Sequence, residues 1–316
     1  MTLEQQPSAS GWHGWASLNF HQVGERTVHQ GGAVAPLRLQ RARGVGDGRC
    51  ELPILHTAGG LVGGDRLSLE LQLEPGARAL VTSVAAQKVY GAVGRSRLAP
   101  EGRWARQELV GQLAAGADLE WLPQELVVFA NGLYEQHQRL ELAPGASWLG
   151  AEVVRLGRTA AGETLERGRW RSRLEIRRRD EGIDRWELVD RLELGGEALI
   201  SPHGLSGEPV LGSLVWAAPE PLAAEALATL LAQARADRAG LAGEMGCGAL
   251  EQGLVARYRG PSSQAARFWF TRLWVRIRAC RGLAPPELPR CWPFQEQPLA
   301  GIQPTAGVLG EPDTPP

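Results

Sequence analysis

From Arg66 to Glu74 the chain reads RLSLELQLE, with Leu67, Leu69, Leu71 and Leu73 apolar and polar residues between them. A period of two marks a strand with one buried face. Pro75-Gly76 turns the chain, and ALVTSV from Ala79 to Val84 reads as the returning strand. The unit recurs: Gly116-Ala117 leads into DLEWLP, and LELAPGASWLGAEVV repeats the alternation, a Pro144-Gly145-Ala146 turn and an apolar return. Downstream, WRSRLEIRR sets Trp170, Leu174 and Ile176 on one face, and a turn at Asp180 to Gly182 leads into RWELVDRLEL. There Asp190 shares strand parity with Trp186, Leu188 and Leu192, which predicts an inward carboxylate that needs a partner, such as an arginine, or a purpose. Helical periodicity is absent until about Ala217. The pattern predicts a mainly β body, a many-stranded, helically wound, two-layer β-sheet of solenoid type with a few C-terminal α-helices. The irregular spacing leaves a closed barrel as the alternative.

Two helices are expected late. Pro221 to Gly240 is rich in Ala and Leu, opens on proline and ends on glycine. Ser262 to Arg281 starts at a serine cap and carries Phe270, Leu273, Trp274 and Ile277 at helical spacing, with Arg272, Arg276 and Arg278 mostly elsewhere. Core packing is the expected role of that apolar stripe. The organisation predicted is a flexible start at residues 1–11, one β-rich domain over 12–294, and a disordered tail over 295–316, where Gln, Pro and Gly take over.

Charge narrows the function. The 34 basic and 35 acidic residues leave a net charge of −1 and are scattered, so no footprint for nucleic acid is present. The polar first residues do not resemble a secretory signal, and no stretch reaches the roughly 20 apolar residues that span a bilayer, so a cytoplasmic protein is expected. Cys50, Cys247, Cys280 and Cys291 make no CxxC pair, which argues against a zinc site or a disulfide framework. Lys88 is the only lysine.

The most distinctive segment is HTAGGLVGGD, His56 to Asp65. Gly59, Gly60, Gly63 and Gly64 permit unusual backbone angles and close approach of another chain segment. The segment is no phosphate loop, because Lys and Ser/Thr do not follow the glycines and Asp65 would repel phosphate. Ser201, His203 and Ser206 supply hydroxyls and an imidazole, but no GxSxG elbow accompanies them, so a Ser/His hydrolase is the weakest reading. His13, His21 and His29 recur at eight residues, which matches no compact metal-ligand spacing. Sparse carboxylates, at Asp47, Asp65, Glu120, Glu125 and Asp190, would exchange a divalent cation more readily than clustered imidazole and thiolate.

Taken in order, several segments resemble the urease accessory protein family UreD, called UreH in some bacteria. They are GERT at Gly24 to Thr27, PLRLQR at Pro36 to Arg41, LHTAGGLVGGDRL at Leu55 to Leu67, the Lys88 and Tyr90 pair, LEWLPQELVVF at Leu119 to Phe129, LGR at Leu156 to Arg158 with Gly162-Glu163, HGLSGEPVLGSL at His203 to Leu214, and PRCW near the end. The chain departs from the family pattern at Val45-Gly46-Asp47 and at Val84-Ala85. The resemblance implies a non-enzymatic assembly factor that works with UreF and the GTPase UreG on apo-urease. It implies no permanent cofactor, and nickel(II) in transit through an internal passage. Asp65 corresponds to the acidic residue closing the family's Gly-Gly-Asp element, and Asp47 and Asp190 match further acidic positions; all three are expected on the ion route. Gly59, Gly60, Gly63, Gly64, Lys88 and Glu125 are the family's structural motif positions here. A scaffold with no metal role is the competing reading.

Overall fold

The computed structural model describes residues 11–180, 182–293 and 295–302. The first half runs β1 (His13–Val23), β2 (Arg26–Val34), β3 (Leu37–Leu39), β4 (Arg43–Val45), β5 (Arg49–His56), β6 (Arg66–Leu73), β7 (Arg78–Ser83), β8 (Gln87–Val89), β9 (Ala105–Leu113), β10 (Asp118–Trp121), β11 (Leu126–Val128) and β12 (Leu133–Leu142). The second runs β13 (Ser147–Leu156), β14 (Arg169–Asp180), β15 (Ile183–Leu194), β16 (Val210–Ala217), α1 (Ala224–Ala236), β17 (Glu244–Leu250), β18 (Gly253–Gly260) and α2 (Ser263–Cys280).

Two sheets result. The first is ordered β15-β14-β12-β9-β6-β1-β2, and the second follows β17-β18-β16-β13-β10-β7-β5-β3, with β4, β8 and β11 added at its margins. In the middle, β6, β9, β12 and β14 are parallel in one sheet, and β5, β7, β10 and β13 are parallel in the other. Successive strands alternate between the sheets, so the chain winds as a coil. Antiparallel pairs finish it, among them β1 with β2, β14 with β15, and β16 with β13 and β18. The wound two-layer body is as expected, and the sheets have free edges rather than closing into a barrel.

The recurring Pro/Ala-Gly-Ala turns form one end of the coil. Gly76, Gly116 and Gly145 all take φ between 66° and 69°, which glycine tolerates without strain. The turns stack: the Gly76 amide donates to the Ala115 carbonyl at 2.9 Å, and the Gly116 amide to the Pro144 carbonyl at 3.1 Å. Ala77, Ala117 and Ala146 are fully buried behind them. Above the turns, inward Leu71 and Leu73 of β6, Leu113 of β9, and Leu140 and Leu142 of β12 fill the space between the sheets. Each such leucine contributes about 1.5–3 kcal/mol by leaving water.

The second sheet is covered on its other face by α1 and α2. The Ser262 hydroxyl caps α2, accepting from the Ala265 amide at 3.1 Å. Phe270, Leu273, Trp274 and Ile277 are buried in a core with Leu149, Val153 and Trp216 of the sheet, as the stripe predicted. The arginines depart from expectation: Arg272, Arg276 and Arg278 are each no more than 6% exposed. They are buried because α2 is enclosed on further sides. Arg272 donates to the carbonyls of Asp237 (2.7 Å) and Pro298 (2.8 Å), and Arg276 holds the Asp237 carboxylate at 2.9 Å.

Residues 295–302, expected to lie in the tail, thus include segments packed on α2, with Glu296 also paired to Arg267 at 2.5 Å. Residues 1–10 and 303–316 of the expected flexible ends lie outside the described residues. A second departure is Trp186, expected inward but 55% exposed. A register shift between Ile176 and Arg177 inserts an extra residue opposite them, which reverses the parity of β15 at that point. Leu188, Asp190 and Leu192 keep the inward parity, while Glu187 is drawn inside to Arg178 at 2.7 Å.

Candidate functional site

The space between the sheets changes character along the coil. Near the stacked turns it is apolar, but toward the opposite, loop-bearing end the inward positions of neighbouring strands become polar. In the first sheet Gln107 of β9, Gln136 of β12 and Ser172 of β14 lie side by side in register. In the second, Glu152 of β13, Ser213 of β16 and Arg257 of β18 form the matching row. The rows meet across the sandwich. Gln136 Nε2 donates to Glu152 and, at 3.1 Å, to the Ser172 hydroxyl, while Ser172 reaches Glu152 at 3.4 Å. Arg257 closes the far end, donating to Ser213 and, at 2.5 Å, to Asp190.

This polar seam joins two hollows. A cavity of about 190 Å³ lies between the sheets at the loop end, lined by residues that include His56, Gly60, Lys88, Gln107, Gln136 and Glu152. A smaller one of about 20 Å³ continues from Glu152 to Ser172, Asp190, Ser213 and Arg257. Glu152 borders both. Burial pushes its carboxyl up to about 7, against the opposing pull of Gln136, Arg257 and Ser172, and Asp190 adds to the rise. The seam therefore presents one carboxyl whose ionisation burial opposes, flanked by amide and hydroxyl groups, with Asp190 and Arg257 paired to each other at its far end.

The three carboxylates expected on an ion route occupy separate environments. Asp190 is on the seam, where Arg257 pairs with it at 2.5 Å. Asp65 closes the loop before β6: one oxygen accepts from the Trp12 amide and the other from the Val62 amide, both at 2.9 Å. Asp47 lies under α2, bonded to Arg278 at 2.9 Å and Arg49 at 3.3 Å. It belongs to a buried network in which Arg49 also meets Asp118 at 2.7 Å, Arg278 meets Glu120 at 2.9 Å, and Arg281 meets Asp118 at 3.0 Å. Burial opposes ionisation of Asp118, but Arg49 and Arg281 outweigh it and hold the carboxyl well below the usual carboxylate range.

The glycine motif shapes the loop end. Gly60, at φ 152°, has no room for a side chain, since a Cβ would lie 2.7 Å from the Tyr90 ring and 2.9 Å from the Lys88 carbonyl. Gly63 and Gly64 pack against Arg103, while Gly59 faces open space. Lys88 is exposed at the cavity rim, and Glu125 faces Arg267 at 3.5 Å. The hydrolase candidates form no relay: Ser201 accepts from the backbone amide of His203 at 3.2 Å, and Ser206 accepts from Arg259 at 3.0 Å. His13 meets Ser68 at 2.9 Å, and His29 packs its ring against Phe20 at a tilt of 57° on the inward side, opposite in parity to His21. Among the described residues no three His, Cys, Asp or Glu side chains converge as a metal site, and the four cysteines are free.

Gln136, Glu152, Ser172, Ser213 and Arg257 were not singled out from the sequence. A signal existed for two of them, because Gln136 shares parity with Leu140 and Leu142, and Glu152 with Trp148 and Val154.

Comparison with known proteins gives this geometry its setting. The family model described as UreD urease accessory protein matches residues 13–293. The chain belongs to the UreD family. A urease accessory protein UreD from Synechococcus sp. strain WH7805 is 62% identical over 296 residues, covering 91% of this chain and 93% of the relative. Proteins of the same name from Parasynechococcus marenigrum strain WH8102 and Prochlorococcus marinus strain MIT 9303 are 61% and 59% identical, covering 95% and 90% of the chain and 97% and 98% of the relatives. The polar seam is thus a feature of a UreD-family body. No helix among the described residues is long and apolar enough to cross a membrane.

Proposed function

We propose that the chain acts in urease maturation as a non-catalytic adaptor, docking on apo-urease together with UreF and the GTPase UreG and passing nickel(II) between its two sheets. The observation that carries this reading is the seam itself. A continuous row of amide, hydroxyl and carboxylate groups crosses an otherwise apolar interior, joins two hollows at Glu152 and reaches the β15 edge at Asp190 and Arg257. Polar groups are costly inside a sandwich unless paired. A row of them alongside empty volume has a rationale if a cation that exchanges most of its water for these groups passes there.

On this reading Glu152 and Asp190 supply negative charge along the route, and amide oxygens come from Gln107, Gln136 and Gln138, the last lining both hollows. Asp65 and Asp47 support the route from outside it, by closing the glycine loop and anchoring α2. That commitment of Asp65 and Asp47 also favours the scaffold reading, so the test must separate the two.

The test is urease activation with Glu152→Gln and Gln136→Leu variants, following both co-purification of the accessory and urease subunits and nickel bound per urease active site. Assembly at wild-type levels with nickel lowered about tenfold, the scale of one lost charge-assisted contact, supports conduction. Unchanged nickel in both variants leaves only the scaffold.

A further inference from the structure

Three side-chain nitrogens among the residues lining the larger cavity are buried without a partner: His56 Nε2, Gln87 Nε2 and Gln124 Nε2. Backbone hydrogen bonds tie their positions into one knot at the loop end. The Val84 amide donates to the Ile54 carbonyl, two residues before His56, the Gln124 amide to the Ser83 hydroxyl, and the Gln87 amide to the Glu125 carbonyl, each at 2.9 Å. Gln124 is only 9% exposed, and its orientation is fixed from the other end: Oε1 accepts from Arg267 at 3.2 Å, so Nε2 is the free donor.

A buried N–H without an acceptor is costly, and several around one hollow call for a shared acceptor with more than one oxygen. The charges agree. Among the described residues lining this cavity the only carboxyl is that of Glu152, which lies at the seam and is bonded to Gln136 and Ser172, whereas Lys88, the sole lysine, stands at the rim. The loop end thus presents neutral donors beside a cation. A hollow of about 190 Å³ has room for an anion of three or four oxygens, given that a water occupies roughly 30 Å³ of liquid.

We propose that this end of the cavity binds a small oxyanion of the bicarbonate or inorganic phosphate class, with the Gln87 and Gln124 amides and His56 Nε2 donating and Lys88 supplying the positive charge. The inference does not depend on nickel conduction. A neutral His56 can donate through Nε2 in one tautomer, and burial lowers its pKa while Asp65 opposes that fall.

The test uses the full-length chain, titrated separately with sodium bicarbonate and with inorganic phosphate against chloride at constant ionic strength, and read from its glutamine side-chain amide resonances. The expected result is a saturable response of Gln87 and Gln124 to at least one of the two anions; bicarbonate alone assigns a planar ligand, and phosphate alone a tetrahedral one. Gln124→Glu can still accept from Arg267 but turns the donor into an acceptor, and should weaken binding at least about tenfold. Lys88→Met should weaken it a few-fold. Gln87→Glu is read in the same way, so that the outcome does not hang on one variant folding. Absence of saturation by either anion, as when the donors are satisfied by water alone, overturns the proposal. So does an affinity unchanged in both glutamate variants.

Discussion

Two groups of buried polar side chains sit on opposite faces of the second sheet, and they differ in what balances their charge. Under α2, three arginines (Arg49, Arg278 and Arg281) face three carboxylates (Asp47, Asp118 and Glu120) in a balanced network. Between the sheets, Glu152 has amide and hydroxyl partners, with Arg257 acting on it at longer range, and hollows lie on either side. The first arrangement is what fixing a helix on a sheet requires, since unpaired charge there would be costly. The second balances one carboxylate mainly with neutral donors and leaves empty volume beside it. Burial alone therefore does not tell the two groups apart; the kind of partner and the neighbouring empty volume do.

Breaking the anchored side should have the largest effect. Arg49→Met leaves Asp118 and Glu120 short of a partner in a dry site and should cost about 3–5 kcal/mol, measured by urea unfolding. The seam side should respond to pH instead. The Glu152 carboxyl is raised from 4.5 to about 7, so the folded state holds its proton more tightly than the unfolded chain. That contribution is complete below 4.5 and is lost as pH rises through 7, a fall of up to about 3 kcal/mol that Glu152→Gln should abolish in paired unfolding curves. Asp65→Asn, which weakens two backbone contacts of a loop, should cost about 1–2 kcal/mol in thermal unfolding. His203→Ala, on an exposed loop outside both networks, should stay within about 0.5 kcal/mol and leave urease activation unchanged.

Much of the coil was legible because leucine parity and the Pro/Ala-Gly-Ala turns are local signals. The four inward leucines of β6 and the three stacked turns need no distant partner to be recognised. The orientation of Trp186 was not legible, because an inserted residue reverses parity while leaving the sequence alternation intact. Nor was the burial of Arg272, Arg276 and Arg278, whose acceptors come from Asp237, Glu120 and carbonyls near residue 298, far along the chain. The seam was partly legible. Asp190 stood out as an inward acid, but Glu152 and Gln136 gain their meaning only when two sheets are laid face to face, and pairing between sheets leaves no periodic trace.

The most direct test sets Glu152→Gln beside Asp65→Asn in the same activation assay and counts nickel per urease active site at equal recovery of the assembled complex. Passage of nickel along the seam predicts depleted urease with Glu152→Gln and full loading with Asp65→Asn. Full loading with Glu152→Gln, or depletion with Asp65→Asn alone, would contradict it.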